Sequence, residues 1–107
     1  LVDPSGRAIV VLQPGTGSVT NKSGTITAGA TAQTLAAVKL DRKYLFIQNL
    51  DVAEDLWINF TTTAVADQPS IKISAGMSFA MEAGYVSSEL VSVIAATTGH
   101  KFTAKEA

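Results

Sequence analysis

The sequence predicts an all-β fold, a β-sandwich or jelly roll of about eight short antiparallel strands carrying an extended N-terminal arm. Three observations lead there. Apolar residues alternate with polar or small ones: Ile71 and Ile73 flank Lys72, Met77, Phe79 and Met81 alternate with Ser78 and Ala80, and Val91 and Val93 flank Ser92. Turn signals at Gln68-Pro69, Ala75-Gly76, Ala83-Gly84 and Thr98-Gly99 cut the chain into short runs rich in β-branched and aromatic residues. No convincing amphipathic helix of about ten residues or more interrupts them.

The elements follow in order. Residues 1 to 24 hold two of the three prolines and four of the eight glycines, with turn signals at Asp3-Pro4-Ser5-Gly6 and Pro14-Gly15. They read as an arm with one short strand, Ala8 to Leu12; the alternative is an edge strand of the domain itself. Residues 25 to 107 read as the sandwich. Thr25 to Thr27 is short, and Thr34 to Leu40 is a strand without clean alternation. Stronger strands are expected over Tyr44 to Leu50, Leu56 to Phe60, Ile71 to Ser74, Met77 to Glu82, Leu90 to Ala95 and Lys101 to Ala104.

The run from Leu45 to Phe60 reads as a hairpin. Leu45 and Ile47 share one face of its first strand, Phe46 and Gln48 the other. In its second strand Leu56, Ile58 and Phe60 form the core face, which turns Trp57 and Asn59 outward. Gln48 and Asn49 stand where the first strand ends, and their amides can satisfy backbone groups that leave the ladder. An outward tryptophan on such a strand suits contact with a neighbouring subunit or partner, and Trp57 and Asn59 are the candidates for that contact.

Composition narrows the function. The 107 residues fit one domain. Charged residues are 16%, against roughly 25% in an average soluble domain, and sixteen Ala and twelve Thr give small side chains suited to close, flat contacts. Net charge is −1 without a Lys/Arg cluster, so the electrostatic footprint of a nucleic-acid binder is missing. There is no cysteine to form a disulfide. No apolar run approaches the roughly 18 residues of a membrane span, and no membrane partner is expected. The chain starts at Leu1 rather than Met, with no signal-peptide pattern there.

The residues point away from enzyme chemistry. The single His100 sits in Thr98-Gly99-His100-Lys101, which reads as an exposed turn rather than the base of a nucleophilic site. All acids but Glu82 fall in expected loops or tails, and only Asp51, Glu54 and Asp55 cluster. That trio could offer oxygen ligands to a hard cation; a solvated turn explains it as well, and no metal or cofactor is expected. Gly15-Thr16-Gly17 lacks the length and context of a phosphate loop.

Several stretches carry a resemblance. They are Ser23-Gly24-Thr25-Ile26, Thr31-Ala32-Gln33-Thr34-Leu35, Arg42 to Leu50, Asp55-Leu56-Trp57-Ile58-Asn59-Phe60, Ser70 to Gly76, Val91 to Gly99 and Lys101-Phe102-Thr103-Ala104. Over residues 23 to 106 the chain resembles small β-rich virion structural proteins of tailed bacteriophages, including head decoration (cement) proteins. The resemblance implies a non-enzymatic protein on the outer head surface. It would bind the major capsid protein of the assembled head, stabilise capsomer seams and act as a homo-oligomer, a trimer favoured. The arm would supply the capsid contact through Ile9, Val10, Val11 and Leu12. The alternatives are a tail or fibre component and a virion-displayed carbohydrate-binding module using Trp57, Asn59 and Tyr85.

Overall fold

The computed structural model describes residues 17–82 and 84–107, all strand, turn or loop. The strands are β1 (Thr20–Asn21), β2 (Gly24–Thr25), β3 (Gln33–Ala36), β4 (Leu45–Asn49), β5 (Leu56–Asn59), β6 (Ile71–Ile73), β7 (Ser78–Met81), β8 (Val91–Ile94) and β9 (Lys101–Glu106). One sheet runs β1-β9-β4-β7 with β2 also on β9; the other runs β3-β8-β5-β6. All pairs are antiparallel.

β1 and β2 are one interrupted strand. Thr20 faces Glu106 and Gly24 faces Phe102, the same register before and after the break. Lys22 N–H bridges the gap to Ala104 O at 2.7 Å. Counted so, the pairings nest: β1/β2 with β9, β3 with β8, β4 with β7, and β5 with β6. The chain behaves as one long hairpin wrapped around two sheets, which is the jelly-roll topology.

The wrapping corrects two expectations. Leu45 to Phe60 is not a hairpin: β4 pairs with β7 and β9, while β5 lies in the opposite sheet with β6 and β8. The chain crosses between sheets here because residues 50–55 are held by side-chain hydrogen bonds rather than by a ladder. The sheet also reaches back past the expected domain boundary, since Thr20–Asn21 and Gly24 pair with β9. The strand expected over residues 34–40 ends at Ala36. Beyond it a turn closes with Arg42 N–H on Lys39 O, 3.1 Å.

The core lies between the sheets. Leu45 and Ile47 on β4, Leu56 and Ile58 on β5, and Val91 and Val93 on β8 are fully enclosed. Alternation puts them there, and each such side chain contributes about 1.5–3 kcal/mol by leaving water. Phe60 and Phe79 stack at the margin, centroids 6.3 Å apart. Gly29 marks a close approach between loops. A Cβ there would run into the Ala96 carbonyl and the Thr98 amide, so only glycine fits without movement.

Candidate functional site

The inward faces of β4 and β9 end in polar residues at opposite ends of the sandwich. On β4 the buried set is Leu45, Ile47 and then Asn49; on β9 it is Phe102, Ala104 and then Glu106. β4 and β9 are antiparallel with Leu45 opposite Glu106 and Asn49 opposite Phe102, so the two polar residues lie far apart.

Asn49 closes one end. Its Nδ2 donates to Glu54 O (2.8 Å) and Ile73 O (2.9 Å), and its Oδ1 accepts Asp51 N–H (2.9 Å). Two carbonyl acceptors fix which side of the amide carries nitrogen. The 2.7 Å contact with His100 must therefore be Nε2–H donating to Oδ1. His100 is 3% exposed, which overturns its reading as an exposed turn residue. The turn holds it inward: Gly99 takes φ 88°, a conformation that favours glycine, and His100 O accepts Ile26 N–H at 2.9 Å. His100 Nδ1 faces Glu54 Oε2 at 3.8 Å, while Glu54 Oε1 accepts the Thr97 hydroxyl at 2.7 Å.

The acidic trio is divided by this network. Asp51 Oδ1 accepts the N–H groups of Glu54 (2.7 Å) and Ala53 (2.8 Å), and those bonds hold its carboxyl below the usual carboxylate range. Glu54 bonds Thr97, and Asp55 lines a cleft. Among the described residues no group of three or more His, Asp or Glu is placed to hold a metal ion.

Arg42 closes the other end. Its side chain is fully enclosed. Nε donates to Glu106 Oε2 (2.9 Å), Nη1 to Ser87 O (2.6 Å) and Glu89 O (2.9 Å), and Nη2 to Ala37 O (2.9 Å). One guanidinium thus ties three loop carbonyls to the last strand. Lys22 Nζ adds a second cation 3.6 Å from Glu106 Oε1.

The outer face of β5 carries both residues expected to meet a partner, and the structure separates them. Asn59 is 1% exposed, so it does not point outward to solvent as expected. The chain after β5 folds back over this face. Asn59 Oδ1 takes Thr61 N–H (2.8 Å), Thr62 N–H (3.0 Å) and the Thr61 hydroxyl (2.8 Å), and Ala64 N–H bonds the Ser92 hydroxyl on neighbouring β8. A strand-end asparagine followed by threonines carries this turn chemistry in sequence. Trp57 is half-buried and walls a cleft of about 600 Å³ with Ile94, Ala30, Ala96, Glu54 and Asp55. Ile9, Val10, Val11 and Leu12, the expected capsid contacts, lie outside the described residues.

The sequence reading missed Arg42, His100 and Glu106 as interior groups. A signal existed for Glu106, since Phe102, Ala104 and Glu106 keep period two. A charged residue near the chain end reads more readily as solvent-exposed.

Large apolar side chains are exposed at both ends. Leu50, Val52 (95% exposed) and Met77 lie at the Asn49 end, where Asn49 N–H bonds Met77 O at 3.0 Å. Val38, Leu40 (87%) and Leu90 lie at the Arg42 end, where Lys39 N–H bonds Ser88 O at 2.9 Å.

No protein-family model matches this chain, and no curated protein matches it. A solved structure described as "Bacillus endospore appendages form a novel family of disulfide-linked pili" is similar to it at TM-score 0.41 and 17% identity, over 92% of each chain. So distant a likeness carries no functional inference.

Proposed function

We propose that this is a non-enzymatic structural protein of a tailed-phage virion, a capsid decoration protein that binds the assembled head and stabilises it across capsomer seams. One observation supports an assembly role most. The buried polar side chains are bonded chiefly to loop backbone and to one another, whereas both ends of the sandwich expose large apolar side chains such as Leu40 and Val52. Exposed apolar groups gathered at loop ends suit burial against a neighbour. Jelly rolls serve viral capsid proteins and lectins among others, and the fold alone does not choose between them. The phage assignment rests on the resemblance over residues 23 to 106.

The mechanism is additive burial. Many copies each cover a seam and bind the assembled lattice but not free subunits, so binding stabilises the assembled state by mass action. A specific contact of this kind buries roughly 800 Å² per partner. The N-terminal segment with Ile9 to Leu12 supplies the capsid anchor by adding a strand to a neighbour's sheet edge, and a trimer is the favoured unit.

Quantitative mass spectrometry of purified virions tests the reading. Hundreds of copies per particle are expected of a decoration protein, on the order of one per capsomer position. Six or twelve copies would place the protein in the tail or fibres and sink the proposal. Removing residues 1 to 19 tests the anchor: full head affinity in the truncated protein would contradict it.

A further inference from the structure

We infer that the cleft beside Trp57 captures a basic side chain, arginine in preference to lysine, presented by a partner protein. The cleft is about 600 Å³ and open to solvent, so an incoming side chain fills only part of it. Its walls divide by chemistry. Ala30, Ala96 and Ile94 offer a shallow aliphatic bed, Trp57 supplies an indole, and Asp55 and Glu54 supply carboxylates. A ligand with an aliphatic stem and a cationic head matches that order. The methylenes lie on the alanines while the head meets indole and carboxylate. Guanidinium suits the site better than ammonium because it is planar, stacks on aromatic rings and bonds a carboxylate with two N–H groups.

The two carboxylates have different parts. Glu54 is held through Oε1 on the Thr97 hydroxyl, while its Oε2 is buried without a hydrogen-bond partner, 3.8 Å from His100 Nδ1. That leaves Asp55 as the acceptor. Among the described residues no lysine or arginine pairs with it. The nearest cation in register is Lys72, exposed on β6 directly across from Trp57. The cleft opens on the other side of Trp57, toward Ile94 of β8. Lys72 therefore lies beyond Trp57, outside the cleft walls, and opposes an incoming cation only from a distance. A sugar fits less well, since the aliphatic bed offers it few hydrogen bonds and Asn59 is enclosed in its own turn. The inference depends on the cleft alone and not on where the protein sits in a particle.

Trp57 is the only tryptophan, so its fluorescence reports the site without labelling. The protein is titrated with N-acetyl-arginine amide, with its neutral citrulline isostere, with N-acetyl-norleucine amide and with simple hexoses. A saturable response to the arginine probe at about millimolar concentration is expected for a ligand so small. Citrulline should bind roughly five-fold more weakly, Asp55→Asn should weaken arginine binding by a similar factor, and Lys72→Gln should tighten it about two-fold. Norleucine binding as well as arginine would overturn the inference in favour of a purely apolar cleft. Hexose binding without arginine binding would overturn it in favour of a sugar site. No saturable response to the arginine probe up to about 50 mM would overturn it outright.

Discussion

Asn49 Oδ1 and His100 Nε2 lie 2.7 Å apart inside the protein, one at the end of β4 and the other just before β9. The bond ties the last turn to the β4–β5 crossover. Arg42 and Glu106 do the same at the opposite end, 2.9 Å apart. A jelly roll has many crossovers and few tight hairpins, so its loops need fastening by something other than a ladder. Here two buried polar clusters fasten them. That places the clusters in the architecture.

Asn49→Ala strips partners from Glu54 O, Ile73 O, Asp51 N–H and His100 Nε2–H together. A loss of about 3 kcal/mol or more in urea unfolding is expected, because unsatisfied buried groups cost far more than an exposed bond. Gln48→Ala, one residue earlier on the half-buried outer face, should cost about 1 kcal/mol or less.

Arg42→Met should cost about 3–5 kcal/mol, since it leaves Glu106 buried beside only a partly exposed Lys22. Adding Glu106→Gln should recover part of that loss, which a double-mutant cycle would read as coupling. Arg42→Lys should not substitute, because an ammonium cannot reach Glu106 and three carbonyls at once.

Asp51 gives a pH signature. Its backbone hydrogen bonds lower its folded titration point below the ordinary aspartate value of about 3.9. The unfolded state therefore binds a proton first as pH falls. The stabilisation is complete above that value and fades as pH drops through the lower folded one. Melting curves should show Asp51→Ala less stable than the parent by a constant margin between about pH 5 and 7, with the margin shrinking below about pH 4. A margin unchanged into acid would contradict the assignment.

Gly29→Ala should destabilise by about 1–3 kcal/mol, since the new Cβ meets backbone that cannot swing aside. Calorimetry would check this. A neutral result would mean that the 96–98 loop gives way.

Much of the fold was legible because alternation survives wherever a strand has one core face. Ile71-Lys72-Ile73 and Phe102-Thr103-Ala104 show it. Sheet membership was not. Period two says which face of Leu45 to Asn49 is buried but not which strand lies alongside, and the crossover at residues 50–55 resembles a hairpin loop in composition. The site was less legible still. Asn49 keeps the inward phase of Leu45 and Ile47, so its interior position could have been read. His100 could not, because its burial depends on Asn49, 51 positions away in sequence. Asn59 was misplaced because a strand's outer face reads as exposed until the loop that covers it is known.

The central claim is that this protein acts by covering an assembled surface. Under the proposed function, co-sedimentation with assembled tailed-phage heads, run beside the same capsid protein unassembled, tests that most directly. The account predicts saturable binding to the heads, hundreds of copies each, on the order of one per capsomer position, and none to the free subunits. Equal binding to both, or to neither, would contradict it.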